Sequence, residues 1–349
     1  MIFVGDQHFG VNSANKNILS IQLKIWYNYI IPLARSTESD IVVVGDFFDN
    51  RNVMDIFVMN QIQKLFEDTK DITIHILLGN HDIYHKDKLE VNSLNLFAKA
   101  FDHVKLYDKQ CIIEKGENRI QIVPWLLKDE QFIIDESVDL VLGHFEFKDF
   151  YVSRTYKAQH GIDISTINSN VPILSGHYHN RQRNSNIQYL GTTFQIDWND
   201  FKEEKGIYHF DMTKKFKLDQ LKFIPIDTRR HVNIIIDVDD KTITTEGLSE
   251  DLICKKATKM SYDIFRGHKL KIYFKKELAI VKNFIENIEA ICESYNVEII
   301  KEQEELDIES LIEKASTYNI ESTLVDIVDD IDKPITEDII SRAKELIDS

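Results

Sequence analysis

Five short clusters of chemically capable side chains follow one another along the chain: Asp6-Gln7-His8, Gly45-Asp46-Phe47-Phe48-Asp49, Gly79-Asn80-His81-Asp82, Gly143-His144 and Gly176-His177-Tyr178-His179. They offer carboxylate and amide oxygens together with imidazole nitrogens, the donor set that suits manganese-like or iron-like divalent ions. In Asp6-x-His8 the two side chains are two residues apart, so on an extended stretch both point to one side and can reach one ion. Asp46 has two oxygens and can bridge a pair of cations, and Asn80 adds a neutral oxygen. His81 beside it is placed to act as a general acid or to steady a phosphate. Two cations held about 3.5–4 Å apart polarise a phosphodiester and stabilise its leaving oxygen. The chemistry expected is therefore metal-assisted phosphoester hydrolysis.

Such a site needs a frame. Each cluster comes directly after an apolar, β-prone run: Ile2–Val4, Ile41–Val44, Ile72–Leu78, Leu140–Leu142 and Val171–Leu174, with further runs at Ile120–Val123 and Ile207–Phe210. Continuously apolar runs are what strands buried on both faces require. Helical patterns lie between some of them, at Ile18–Leu33, Val53–Phe66 and Ser93–Phe101. Strands alternating with helices predict an α/β layered domain whose ligands stand at the carboxyl ends of strands. The expected organisation is a catalytic domain over 1–226, a small α+β capping domain over 227–300 and an acidic helical tail over 301–349. Within the capping domain, His231–Val238 and Lys269–Phe274 read as strands and Glu277–Tyr295 as a helix.

The ordered set resembles the calcineurin-like metallophosphoesterases, whose pattern is DxH, GDxxD, GNHD/E, H and GHxH, over roughly residues 1–210. The resemblance implies a layered α-β-β-α fold. It implies that Asp6, His8, Asp46 and His179 hold one metal and that Asp46, Asn80, His144 and His177 hold a second. By the same resemblance His81 faces the substrate phosphate and protonates the leaving oxygen, and Asp49 orients His81. Manganese is the expected ion, with magnesium the other candidate.

Finer features point within that superfamily. Asp6-Gln7-His8-Phe9-Gly10 is similar to the opening of the SbcD, or meiotic-recombination-eleven, nuclease family. Tyr189-Leu190-Gly191-Thr192-Thr193-Phe194 with Glu203-Glu204-Lys205-Gly206 is similar to its YxGS…E…KG ending. The short length and the Gly143–Glu146 segment look most like the recombination nuclease subunits of T-even-type phages. The family implies a DNA exonuclease and endonuclease that works with an SbcC-type ATPase, docked through the C-terminal helices, in double-strand-break processing. It also implies a homodimer formed by helices near 53–66 and 93–101. The alternative is a phosphodiesterase or phosphatase acting on a small phosphoester or a protein; the protein-phosphatase patterns GDxxDRG and GNHE are absent.

A net charge of −16 argues against nucleic acid until its distribution is considered. Residues 301–349 hold 15 acidic and 5 basic side chains, whereas 255–276 holds eight basic side chains against Asp263 alone. A phosphate backbone responds to local charge. The candidate DNA contacts are Lys255, Lys256, Lys259, Arg266 and Lys269, with Arg181 and Arg183 after the last ligand motif and Arg229 and Arg230 at the domain junction. Three scattered cysteines, an opening that reaches a motif by Asp6, and the lack of a long apolar run predict a cytoplasmic protein without a membrane span, in the host cytoplasm if phage-encoded.

Overall fold

The computed structural model describes residues 1–299, apart from 129, 229, 238–241, 249–252, 255–264, 266–267, 275–278 and 293. Two six-stranded mixed sheets lie face to face. The first contains β1 (Ile2–Val4), β2 (Ile41–Val43), β3 (Ile74–Leu77) and β4 (Val104–Tyr107) in parallel; the second is built on β5 (Cys111–Lys115), β6 (Asn118–Val123), β7 (Leu140–His144), β8 (Ile173–Gly176), β9 (Gln182–Asn184) and β10 (Ile187–Tyr189). β11 (Gly206–His209) and β12 (Lys222–Pro225) return antiparallel to complete the first, in the order β12-β11-β1-β2-β3-β4. In the second, the order β5-β6-β7-β8-β10-β9 has a parallel centre and antiparallel edges. This is a mixed α/β fold of the metallophosphoesterase type.

The two-residue period of a strand explains the layers. Ile2 and Val4 face a helical layer with Ile41, Val43, Ile74 and Ile76, whereas Phe3, Val42, Val44 and Leu77 face the second sheet and meet Ile120, Ile122, Leu140, Leu142 and Leu174. The helical layer comprises α1 (Lys16–Ile25), α2 (Ile31–Thr37), α3 (Ile56–Glu67) and α4 (Asn95–Ala100). Asn15 caps α1 by accepting from Asn17 and Ile18 N–H, and Asp55 caps α3 by accepting from Val58 N–H. That cap explains why α3 begins at Ile56 rather than Val53. The single helix expected over Ile18–Leu33 is interrupted by a π-helical turn, Trp26–Ile30. Over the outer face of the second sheet the fourth layer is an irregular segment rich in buried aromatics, Phe145, Phe147 and Phe150, with a 3-10 turn at Ile164–Thr166.

The third sheet has the order β15-β14-β13-β16-β17, from β13 (His231–Asp237), β14 (Thr242–Glu246), β15 (Ile253–Cys254), β16 (Lys269–Phe274) and β17 (Ser294–Ile299). The helix expected over Glu277–Tyr295 is shorter: α5 (Ala279–Ile288) buries Phe284 and Ile288, and the chain returns as β17, parallel to β16. The expected tail, 301–349, lies outside the described residues; a break between compact units falls between Ile299 and Ile300.

Candidate metal centre

Asp6, Asp46, Asn80, His144 and His177 stand at or just beyond the carboxyl ends of β1, β2, β3, β7 and β8. The donor atoms converge in three groups among the described residues: Asp6, His8 and His179; Asp46, His144 and His177; and His8, Asp49 and His81, which shares His8 with the first. In the first, His8 Nε2 and His179 Nε2 are 3.1 Å apart. In the second, Asn80 Oδ1 lies 3.1 Å from both His144 Nε2 and His177 Nδ1. Asp46 Oδ2 lies between these two groups, 3.3 Å from His144 Nε2 and 3.8 Å from His8 Nε2. All seven ligands expected from the motifs are thus brought together.

The chemistry of these donors fits divalent cations. His144 Nδ1 is 2.8 Å from the Val44 carbonyl, which can only accept, so Nδ1 carries the proton. The Nε2 lone pair of neutral His144 is then aimed at two further acceptors, Asn80 Oδ1 and Asp46 Oδ2. Acceptors facing acceptors require positive charge between them. Without a cation, the ionisation equilibria supply that positive charge as protons. Burial works against a charged His144, yet Asp46 outweighs it and lifts the imidazole to about 9. Burial lifts Asp6 to about 7, with His144 opposing and Asp46 reinforcing. Asp46 is held ionised in spite of its burial, chiefly by His144 and His8. Burial and the nearby imidazole of His144 lower His177 to about 3, and burial with His8 and Lys205 lowers His179 well below its ordinary value. His177, His179 and Asp46 are thus in the neutral-imidazole and ionised-carboxylate forms that bind metal, whereas a cation would have to displace a proton from His144 and from Asp6.

The backbone is bent to achieve this. His8 (φ 47°), Asp46 (φ 46°) and His177 (φ 93°) all occupy positive φ. A non-glycine residue held there costs about 1–3 kcal/mol. The motif glycines have a second purpose, which is space. A Cβ at Gly79 would collide with the Asp46 carboxylate, one at Gly45 with the His144 ring, and one at Gly176 with the Val44 carbonyl and the Asp6 carboxylate.

His81 shares the third group with His8 and Asp49 and lies outside the other two. Its N–H donates to Asp46 Oδ1 (2.8 Å) and its Nδ1 to the backbone carbonyl of Asp49 (2.5 Å). The Asp49 carboxylate instead lies 3.2 Å from His8 Nδ1. Asp49 therefore meets His81 through its main chain.

Several residues support the donors in ways the sequence does not announce. Asp82 is fully buried and accepts from Phe47, Phe48 and Gly79 N–H (3.2, 3.0 and 2.9 Å), fastening the loop after β2 to the loop after β3. Arg51 donates to the Asn80 carbonyl, at 2.8 Å. Gln7 accepts from Trp26 Nε1 (2.8 Å), which the π-helical turn presents to it. The buried Lys205 donates to the His179 carbonyl (2.8 Å) and to Asp200 (2.6 Å). Trp125 packs against His144 and His177, with ring centroids 5.9 and 5.2 Å away. Of these, Gln7, Asp82 and Lys205 fall within motifs singled out by sequence, but nothing in those motifs announces the supporting bonds they make.

The expected DNA contacts fare differently. Arg181 pairs with Glu204 (3.1 Å) and lies over the Phe223 ring, and Arg183 pairs with Asp219 (2.8 Å). Lys269 is half-buried. Arg230 must be corrected: it is 2 % exposed, and its guanidinium donates to the carbonyls of Gln195 and Ile196. It ties the third sheet to the catalytic lobe and offers nothing to a phosphate. Arg229, Lys255, Lys256, Lys259 and Arg266 lie outside the described residues.

The fold and the paired donor groups together define a metallophosphoesterase-like protein. No protein-family model matches the chain. It is 24% identical over 339 residues to exonuclease subunit 1 of Enterobacteria phage T4, a similarity that covers 92% of this chain and 98% of the other. The chain is thus similar to that phage subunit over nearly its whole length, in line with the phage-type resemblance of its motifs. Among the described residues no helix is long and apolar enough to cross a membrane.

Proposed function

We propose that this protein is a divalent-metal-dependent DNA nuclease subunit that hydrolyses phosphodiesters at or near DNA ends. The observation that carries the reading is the convergence of Asp6, His8 and His179 in one group and of Asp46, His144 and His177 in another, with Asn80 Oδ1 beside the second and Asp46 Oδ2 between them. Asp6, His8, Asp46 and His179 would hold one cation and Asp46, Asn80, His144 and His177 the other. When bound, such a pair supplies Lewis-acid polarisation of the phosphodiester and neutralises charge on the attacking and leaving oxygens; manganese is the ion we assign, with magnesium as its competitor.

The protein's own part is positioning and proton transfer. Nδ1–H of His81 is fixed on the Asp49 carbonyl, which sets the ring's orientation and leaves Nε2 to carry the transferable proton. Protonated there, His81 delivers a proton to the leaving oxygen. Its N–H bond to Asp46 holds the acid and the shared ligand in one frame. Trp125 limits the access of water to His144 and His177.

DNA is favoured as substrate because the phage relative is named an exonuclease. The word subunit in that name supports a partner, and we assign the acidic tail, 301–349, to docking on an SbcC-type ATPase. A second copy of the chain is assigned to the apolar surface of Val53, Ile56, Phe57 and Leu96; Ile56 is 75% and Leu96 69% exposed. The test is a nuclease assay of the purified protein with manganese or magnesium, on labelled duplex and single-stranded DNA, beside bis-p-nitrophenyl phosphate. Manganese-dependent cleavage of DNA that chelation abolishes is the expected result. Hydrolysis of the small diester alone would replace the nuclease reading with a small-molecule phosphodiesterase.

A further inference from the structure

Between the ligand His144 and β8 the chain makes a short hairpin, residues 149–158, that the metal centre does not use. Its root is buried through Phe147, Phe150 and Ala158. Backbone bonds close it: Asp149 N–H to the Ala158 carbonyl (3.0 Å), Ala158 N–H to Phe150 (2.8 Å) and Val152 N–H to Tyr156 (2.9 Å). Gln182 clamps the tip with both ends of its amide, accepting from Tyr151 N–H (2.8 Å) and donating to the Tyr151 carbonyl (2.7 Å). The hairpin so anchored holds two aromatic rings out, Tyr151 at 44% and Tyr156 at 53% exposure. The Lys157 ammonium sits 4.8 Å from the Tyr151 ring centroid, and Arg154 lies over the buried Phe201. Residues 148–159 carry three basic side chains and one acidic in a chain whose net charge is −16.

Position gives the hairpin its meaning. Gln182 is three residues from the ligand His179, so their Cα atoms are at most about 11 Å apart. A strand leaving the metal centre on that side meets the tip within a few nucleotides. Exposed aromatic rings beside cations are how sequence-tolerant single-strand binding is built, because every base has a π face and every linkage a phosphate.

We propose that this hairpin is a stacking platform for the unpaired end of a DNA substrate, with Tyr151 and Tyr156 receiving bases and Lys157 a phosphate. The proposal rests on the nuclease reading above and specifies which part of the DNA the protein grips. It is tested with the full chain and the variants Tyr151→Ala/Tyr156→Ala and Tyr151→Phe/Tyr156→Phe. Binding is read in metal-free protein by fluorescence anisotropy, with a blunt duplex and the same duplex carrying a single-stranded overhang. Hydrolysis of bis-p-nitrophenyl phosphate with manganese serves as the control for an intact centre.

The alanine pair should lose roughly tenfold in affinity for the overhang, keep its affinity for the blunt duplex and hydrolyse the small diester as the parent does. The phenylalanine pair should bind the overhang as the parent does. Equal overhang binding by the alanine pair and the parent, or equal losses on blunt and overhang DNA, would overturn the platform. A parent that hydrolyses the small diester but neither binds nor cleaves DNA would overturn the nuclease reading itself.

Discussion

Asp82 is the residue whose removal should separate the site from its frame. Its carboxylate lies in the interior and accepts three backbone N–H groups, from Phe47, Phe48 and Gly79. Asp82→Ala leaves all three donors buried and unpaired. Each such group costs about 1–3 kcal/mol, so the upper bound is roughly 3–9 kcal/mol. That is comparable with a typical whole folding free energy of about 5–15 kcal/mol. For a domain of this size the corresponding fall in melting temperature is on the order of 10 °C. The loops released carry Asp46 and Asn80, so metal affinity should fall with stability. Asp82→Asn keeps an acceptor and most of the volume but turns an N–H₂ toward the backbone donors; it should melt between the parent and the alanine variant. Thermal unfolding with and without manganese, and calorimetric titration of manganese into each protein, read both consequences. An alanine variant that melts within two or three degrees of the parent and binds manganese equally would show that the three bonds do not hold the loops.

His81→Ala should reduce hydrolysis of DNA and of bis-p-nitrophenyl phosphate by roughly 10²–10⁴-fold while manganese titration stays unchanged, since the ring lies outside the two donor groups assigned to metal; normal turnover would remove it as the acid. Gly45→Ala and Gly79→Ala should abolish metal binding, because the added methyl meets the His144 ring or the Asp46 carboxylate; titration curves like the parent's would refute the spatial reading of these motifs. His231 supplies a pH prediction. Burial and the neighbouring cations Arg230 and Lys269 lower it to about 3. The unfolded state therefore takes up a proton near pH 6.5 that the folded state refuses. Stability is fully present above that value and lost as pH falls toward 3, at up to about 1.4 kcal/mol per pH unit. Urea unfolding of His231→Gln between pH 7 and 5 should show a slope smaller by about that amount, and an unchanged slope would refute the assignment.

What was legible in the sequence is what is local to the chain. An apolar run, a glycine and a metal-type side chain are all encoded within a few residues, and the parallel strands β1, β2, β3, β7 and β8 were found with their ligands. Edge strands were not. β9 is Gln182-Arg183-Asn184, with no apolar residue, and it exists because β10 pairs with it. The Ser294–Ile299 strand was read partly as helix because the apolar pattern of α5 runs on toward Tyr295, and only pairing with β16 decides otherwise. The supporting roles of Asp82, Trp125 and Gln7 are silent for the same reason: their partners are remote in sequence. Arg230 was misjudged because a guanidinium at a domain junction reads alike whether it faces a phosphate or two buried carbonyls.

The positive-φ ligands connect these two kinds of information. Three ligands in left-handed backbone would together cost several kcal/mol if nothing held them. Each has a tie from a different part of the fold. Asp46 lies in the loop that Asp82 fastens, and its carbonyl accepts from both Gln7 and His8 N–H. His177 N–H donates to both oxygens of Asp6. His8 lies next to Gln7, which Trp26 anchors. On the proposed reading the motifs specify which atoms would meet a cation, and the supporting residues hold the bent backbone ready for one. A centre organised in this way should bind metal as a preformed cavity. Loss of a supporting residue should weaken metal affinity without removing a single ligand.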